Sequence, residues 1–211
     1  MKKTKVTVIG LGNSGLNAAI LLKDKGADVR VTESADNIGV RNNIKHLELK
    51  DIPYETGVHT KDFIAGSHLI VASPGVERSS PAIRWADELR IPIISEVELG
   101  YRFCKGRIIA ITGTNGKSTV TTLIGEMLKG ARLDVAVCGN IGNSLCGEIG
   151  RIKSDTWVVL EVSSFQLERI KDFKPHVAII LNITDDHLDR YARFSDYFNE
   201  KLKIFHIKSR K

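Results

Sequence analysis

Residues 108–119 read IIAITGTNGKST, and this stretch decides the fold of the chain. The apolar, β-branched run is typical of a buried strand, the glycines mark a tight turn, and a helical pattern continues to residue 129. The same order of strand, glycine turn and helix occurs near the start, where VTVI at 6–9 runs into GLGNSG at 10–15. Short apolar runs alternate with helical patterns elsewhere, so the sequence predicts an α/β fold with parallel sheets built from βαβ units.

The glycine turn after residue 112 resembles a phosphate-binding P-loop. Its backbone N–H groups can hold phosphate oxygens, Lys117 can neutralise phosphate charge, and the hydroxyl of Ser118 or Thr119 can bind Mg²⁺. Two residues separate its first glycine from the Gly-Lys pair, whereas the usual loop has four. The alternative is a glycine-rich turn with an exposed lysine. The candidate phosphate-binding residues are Gly113, Thr114, Asn115, Gly116, Lys117, Ser118 and Thr119.

The first glycine turn fits the dinucleotide-binding fingerprint. Gly10 and Gly12 allow a tight turn and a close approach to a pyrophosphate, and the following helix offers N–H groups to its charge. The next predicted strand delivers Glu33 at about the distance where such folds bind a ribose hydroxyl. Two alternatives stay open: a strand–helix turn that binds nothing, and a solvated acid at a strand end.

Polar groups follow two predicted strands of the second half. Glu161 ends the strand at 156–161, where P-loop enzymes place a metal-binding acid, and His187 lies in a dense polar run, residues 182–191. Glu161 could instead cap the helix that follows, and His187 could be an ordinary surface histidine.

The predicted elements suggest two domains, because the segment from Ser95 to Gly106 reads as a helix leading into a new strand. We expect a Rossmann-like domain over residues 1–97 and a P-loop-type α/β domain over residues 98–211. Strands are predicted at 5–9, 28–32, 68–72, 91–94, 107–112, 134–138, 156–161 and 176–182, and helices at 14–25, 80–89, 95–103, 117–130, 163–170 and 192–206.

Composition narrows the functional classes. The 211 residues are 42% hydrophobic and 27% charged, as in a globular protein, and the apolar runs are far shorter than the roughly 18 residues that span a bilayer. We therefore expect no membrane insertion. The three cysteines lack disulfide-like or metal-like spacing and suit a reducing cytoplasm. The net charge of +6 comes mainly from residues 201–211, which carry five basic residues without aromatic interleaving, so no nucleic-acid partner is expected.

Taken together, the motifs resemble those of the Mur ligase family. The resemblance is carried by residues 10–15, 111–122, 139–142, 160–168 and 181–191, and it covers essentially the whole chain. Within the family, the sequence most resembles the members that add D-glutamate to UDP-N-acetylmuramoyl-L-alanine in peptidoglycan synthesis. It implies an ATP-dependent, monomeric amide-bond ligase that works through an acyl phosphate.

The resemblance also implies roles for individual residues. The first domain would bind the UDP part of the substrate rather than a nicotinamide, and Lys117 with the loop amides would hold ATP. One Mg²⁺ would be held by Ser118 or Thr119 together with Glu161. A second would be held by His187, which also faces substrate, near a carbamate formed on Lys201. Substrate contacts would come from Asn13, Ser14 and Gly15 to the diphosphate, from Glu33 and Ser34 to the uracil region, and from Gly75 and Asn140.

The length leads to a further expectation. Mur ligases of this type have a third domain that binds D-glutamate, and residue 211 falls before it and inside the ATPase domain. We therefore expect a truncated ATPase domain and a chain that binds nucleotide weakly and does not complete the ligation alone. The rival classes are a non-catalytic nucleotide-binding module and an NAD-dependent oxidoreductase, although the latter leaves the loop at 113–119 unexplained.

Overall fold

A computed structural model describes residues 3–186, 190–191 and 193–205. The chain divides into two compact units, Met1–Leu99 and Gly100–Lys211. No helix within the described ranges is both long and apolar enough to cross a membrane.

The first unit is a five-stranded sheet in which all neighbouring strands are parallel. The strand order is β3-β2-β1-β4-β5. The chain therefore adds strands on one side of β1 and then crosses to the other, which makes the carboxyl ends of β1 and β4 the topological switch point. The strands are β1 Lys5–Ile9, β2 Asp28–Glu33, β3 Tyr54–Thr56, β4 Leu69–Ala72 and β5 Ile93–Ser95.

Helices connect these strands and cover the sheet. The longest, α1, packs Leu16, Ala19 and Leu22 into the interior, so its apolar stripe faces the sheet. The helices are α1 Asn13–Asp24, α2 Ile38–Glu48, α3 Lys61–Ile64 and α4 Pro81–Glu88; α5 Glu96–Phe103 follows β5 and includes the boundary between the two units.

The second unit has a four-stranded parallel sheet in the order β7-β8-β6-β9. Central β6 is apolar and almost entirely buried, as a strand flanked on both sides must be. The elements are β6 Arg107–Thr112, α6 Lys117–Gly130, β7 Val135–Gly139, α7 Leu145–Glu148, β8 Trp157–Glu161, α8 Ser164–Leu167, β9 Val177–Ile180, α9 Phe194–Leu202 and a 3₁₀ turn Lys203–Phe205.

The predicted fold class is confirmed, and all eight predicted strands are present. The sequence pattern missed β3, which has three residues, the helix α2, and the four-residue helices α3 and α7. In α2 only Val40 and Leu47 are buried, so its apolar stripe is too thin to stand out. The helix predicted at 163–170 is the single turn α8.

Candidate functional site

A helix of the second unit begins at a glycine N-cap. The loop after β6 leads to Gly116, the N-cap of α6, which has no side chain that could cap the helix. Gly116 has φ +81°, a left-handed conformation that favours glycine. The first N–H groups of a helix have no partner within it, so α6 presents amide donors and its positive dipole end to an anion.

Part of the loop is already hydrogen-bonded within the protein. The N–H of Thr114 donates to the carbonyl of Asn182 at 3.0 Å, and the N–H of Asn115 donates to the side-chain Oδ1 of Asn182 at 2.9 Å. The donors left for a phosphate are therefore those near the start of α6. The Thr114 hydroxyl is also engaged, because it lies 3.0 Å from the Tyr197 hydroxyl.

The loop lysine is folded back onto the loop. Lys117 Nζ donates to the carbonyl of Thr114 at 2.8 Å, a bond that uses one of the three N–H donors of the ammonium. Ser118 and Thr119 follow in the first turn of α6, and both are exposed.

Glu161 lies at the same sheet edge as the loop, because it ends β8 and pairs with Ile111 of β6. The residue is 1% exposed. Its Oε1 accepts from Asn140 Nδ2 at 3.0 Å, whereas its Oε2 is buried without a hydrogen-bond partner among the described residues. A buried carboxylate oxygen of this kind is costly unless a cation or donor reaches it, and Mg²⁺ prefers such oxygens.

A single buried carboxylate, Glu161, beside the loop in the described structure suits Mg²⁺ better than a metal that needs several protein ligands. Within the described ranges no group of three or more His, Cys, Asp or Glu side chains is placed to hold a metal ion. Mg²⁺ commonly uses one or two carboxylates together with substrate phosphates and water, so one acid beside a phosphate loop fits it. His187, the predicted ligand of a second ion, lies outside the described residues.

The end of β7 holds Glu161 in place. Asn140 donates its backbone N–H to the Glu161 carbonyl at 3.0 Å, in addition to its side-chain bond. Gly139 has φ +115°, and a Cβ there would lie 2.1 Å from the same carbonyl oxygen. The two strand ends can approach this closely only with glycine at that position. In this structure the Asn140 side chain therefore orients the acid.

Lys201 lies beneath the phosphate loop rather than on the surface. It is 2% exposed, and its Nζ donates to the Gly113 carbonyl at 2.8 Å and lies 4.6 Å from the centre of the Tyr197 ring. Burial first, and then the positive charge of Lys117, lowers the pKa of Lys201 to about 8, while Asp186 opposes the shift. A larger fraction of this amine is therefore neutral near physiological pH than for an ordinary lysine.

The sequence reasoning assigned no role to Gln166. Ser163 and Gln166 form a capping box at the start of α8, in which Gln166 Oε1 accepts the Ser163 N–H at 2.9 Å. This bond fixes the amide orientation, and Gln166 Nε2 is buried without a partner in the described part of the chain. The Ser-x-x-Gln spacing was the signal that could have identified this cap. The cap is Ser163, so Glu161 does not cap this helix.

In the first unit the glycine turn lies at the switch point. Helix α1 follows its N-cap Gly12, which has no side chain to cap the helix, so Asn13, Ser14 and Gly15 lie in the first turn, where amides have no acceptor within the helix itself. A Cβ on Gly15 would lie 1.9 Å from the Gly10 carbonyl oxygen, so packing alone requires that glycine. The turn after β4 lies alongside, because Ser73 Oγ donates to the same carbonyl at 3.1 Å.

Glu33 supports the glycine turn. Its Oε2 accepts the N–H of Leu11 at 2.7 Å, and its Oε1 accepts the N–H of Ala35 at 2.8 Å. The carboxylate thus ties the turn after β1 to the end of β2, and Ser34 beside it is exposed. Gly75 is also exposed and has no positive φ, and a Cβ added there would meet no atom within 4 Å. Gly75 therefore leaves bare backbone that a ligand can approach.

Sequence comparison accounts for both units. Residues 4–95 match the family described as "Mur ligase MurD-like, N-terminal domain", and residues 111–211 match "Mur ligase middle domain". The chain belongs to the Mur ligases. The resemblance noted from the motifs is thereby confirmed.

Curated relatives of this Mur ligase chain carry a single description. The UDP-N-acetylmuramoylalanine–D-glutamate ligases of Geotalea daltonii and Koribacter versatilis are each 44% identical to it, over 205 and 201 residues. These alignments cover 97% and 95% of this chain but 45% and 44% of the relatives. The chain thus spans less than half of their length.

Solved structures of other Mur ligases share the fold. The UDP-N-acetylmuramate-alanine ligase MurC of Thermotoga maritima is 25% identical with a TM-score of 0.58, over 95% of this chain and 46% of that one. The UDP-N-acetylmuramate:L-alanyl-gamma-D-glutamyl-meso-diaminopimelate ligase of Neisseria meningitides is 17% identical with a TM-score of 0.62, over 96% of this chain and 68% of that one. At the latter identity the likeness concerns the fold alone.

Proposed function

We propose that this Mur ligase chain supplies the UDP-substrate-binding and ATP-binding parts of a ligase that joins D-glutamate to UDP-N-acetylmuramoyl-L-alanine. The curated relatives carry that name. The observation that carries the proposal is local: the uncapped start of α6 and the unpartnered Oε2 of Glu161, both within the described residues, lie at one sheet edge. An anion-binding helix start beside a buried acid is what a Mg²⁺–nucleotide site requires.

The reaction would proceed in two displacements. A carboxylate oxygen of the UDP substrate attacks the γ-phosphorus of ATP, the bond from that phosphorus to the β–γ bridging oxygen breaks, and ADP leaves. The amine of D-glutamate then attacks the acyl carbon, inorganic phosphate leaves, and the amine gives up a proton. The α6 amides hold the phosphate oxygens, and the ammonium of Lys117 offsets their charge.

Glu161, with the hydroxyl of Ser118 or Thr119, would hold one Mg²⁺, and His187 would hold a second. When bound, the ions neutralise charge on the transferring phosphate. Asn140 keeps Glu161 Oε1 occupied and so directs Oε2 to the ion. Among the described residues, the buried Gln166 Nε2 is a further donor at this edge for an anionic substrate group.

The proposed carbamate on Lys201 is supported by burial next to the loop. The neutral amine attacks the carbon of CO₂, a C–N bond forms, and one proton is released to solvent. The product carries a negative charge where the ammonium now donates to Gly113. NMR of the chain with isotopically labelled bicarbonate tests this: a carbamate resonance that is missing in Lys201→Met is expected, and its absence from the wild type refutes the modification.

The first unit would bind the UDP moiety. The α1 amides with Asn13, Ser14 and Gly15 suit the diphosphate, and the Glu33–Ser34 turn and Gly75 suit the rest of the nucleotide substrate. Leu11 and Ala35 amides keep the Glu33 carboxylate at the carboxyl end of β2. The monomeric state, the cytoplasmic location and the domain bounds 1–97 and 98–211 stay predictions.

Titration calorimetry tests the proposal. We expect separate binding of UDP-N-acetylmuramoyl-L-alanine and of ATP with Mg²⁺, and no heat with NADH. Binding of NADH without ATP would instead support an oxidoreductase. A second assay uses a fusion of this chain with the remaining residues of a curated relative. If the fusion binds both ligands but consumes no ATP when D-glutamate is added, the chain is a non-catalytic module.

A further inference from the structure

The shortened phosphate loop is held by a residue from the neighbouring strand end. Asn182 follows β9, which pairs in parallel with β6. Its Oδ1 accepts the Asn115 N–H at 2.9 Å, its Nδ2 donates to the Asn115 carbonyl at 3.0 Å, and its own carbonyl accepts the Thr114 N–H at 3.0 Å. In this orientation of the Asn182 side-chain amide, its oxygen faces the Asn115 N–H and its nitrogen faces the Asn115 carbonyl. We call these three bonds the Asn182 clamp.

The clamp accounts for the unusual loop spacing. In the usual P-loop four residues precede the Gly-Lys pair, and their amides wrap around the phosphate. Here two residues, Thr114 and Asn115, occupy that place, and the N–H groups of both point to Asn182 instead of to a ligand. The curvature that a longer loop obtains from its own residues therefore comes from Asn182.

A second set of contacts fixes the loop from the other side. The Thr114 hydroxyl accepts the N–H of Thr184 at 3.0 Å and lies 3.0 Å from the Tyr197 hydroxyl, and Thr114 is 9% exposed. Hydrogen bonds within the protein therefore hold the loop backbone before Gly116. A site that is ordered in advance loses less entropy on binding, which raises affinity.

We propose that Asn182 is a positioning residue of the phosphate site, which completes the shortened loop and sets the direction of the α6 amides toward the ATP phosphates. The proposal rests on the proposed function, because it assumes that the loop binds ATP. Asn182 acts through the backbone of Thr114 and Asn115 and does not need to contact the nucleotide.

The test compares Asn182→Ala with the wild-type chain in MgATP titrations. The variant loses both side-chain bonds and keeps the backbone bond, so we expect the Kd for MgATP to rise by about tenfold. The Kd for inorganic triphosphate should rise by the same factor, because the loop contacts phosphates and not the base. Asn199→Ala is the matched control, since it removes an exposed asparagine of α9 in the same unit. Its affinities should equal those of the wild type.

Binding of UDP in the first unit and the melting temperature separate positioning from general stability. The affinity for UDP should be unchanged in Asn182→Ala, and the melting temperature should fall only slightly, because the variant loses two exposed hydrogen bonds. An unchanged Kd for MgATP overturns the proposal. A rise in that Kd also overturns it if the Kd for UDP rises by the same factor, because the substitution has then destabilised the chain as a whole. If the wild-type chain does not bind MgATP, the proposed function fails and this inference fails with it. Binding by the wild type with an unaffected variant removes the role of Asn182 alone.

Discussion

The buried charge of Lys201 should be measurable as a pH-dependent stability of the second unit. The residue is 2% exposed, and burial lowers its pKa from 10.5 to about 8. Replacing it by methionine keeps the length and apolar stem of the side chain and removes the ionisable group. The replacement also removes the hydrogen bond to the Gly113 carbonyl, which shifts stability by a constant at every pH.

The sign follows from proton binding. Between pH 8 and 10.5 the unfolded chain still holds the Lys201 proton while the folded chain has released it, so stability rises with pH. Below this pH window Lys201 is protonated in both the folded and the unfolded chain, so it no longer makes stability depend on pH. At roughly 1.4 kcal/mol per pK unit, the free energy of unfolding of the wild type should gain about 3 kcal/mol over Lys201→Met across this window.

The assay is urea unfolding followed by tryptophan fluorescence in CO₂-free buffer. The chain has two tryptophans, so Trp85→Phe leaves Trp157 of β8 as a reporter of the second unit. Lys153→Met, which removes an exposed lysine, is the control and should show no such difference. If the free energies of unfolding of the wild type and of Lys201→Met differ by the same amount from about pH 7 to pH 10.5, burial does not lower the pKa of Lys201.

Three further outcomes are expected. Lys117→Ala should lower phosphoryl transfer at least about tenfold in a protein that carries this chain at its relatives' full length, and unchanged turnover would remove the lysine from the phosphate site. Gly15→Ala should abolish UDP binding and lower the melting temperature, because its Cβ would lie 1.9 Å from the Gly10 carbonyl oxygen. Gly12→Ala, with no atom within 4 Å of its Cβ, should keep the wild-type melting temperature. Glu161→Gln should weaken Mn²⁺ binding in the presence of ATP, measured by electron paramagnetic resonance, by at least about tenfold, and equal Mn²⁺ affinity would exclude this acid as a ligand.

Much of the fold could be predicted from the sequence, because the patterns that indicate strands and turns lie within short stretches of residues. Each predicted strand is an apolar run of a few residues, and the two glycine turns stand where a strand meets a helix. The elements that were missed lack such signals: β3 has three residues, α3 and α7 have four each, and α2 buries only Val40 and Leu47. The position of β3 depends on pairing with β2, and that of α2 on packing against α1, which no short window of sequence contains.

The candidate site was predicted as a set of residues but not as a geometry. The sequence indicated the loop at 113–119 and Glu161, since their residue types and spacing carry the chemistry. It gave no sign that the amides of Thr114 and Asn115 bind Asn182, because these residues are far apart in sequence and meet only when β9 lies beside β6. The free oxygen of Glu161 in the described structure likewise depends on Asn140 at the end of β7.

The sequence alone determined the α/β class, the two glycine turns between strand and helix, and the family resemblance, because strand periodicity, glycine positions and motif spacing are properties of consecutive residues. The tertiary structure decided which donors remain available and which charges are buried. Strand order placed Asn182 against the loop and Asn140 against Glu161, and the packing of α9 placed Lys201 against the loop. Hydrogen-bond partners and burial depend on what surrounds a side chain in space, and that is settled when the sheet assembles.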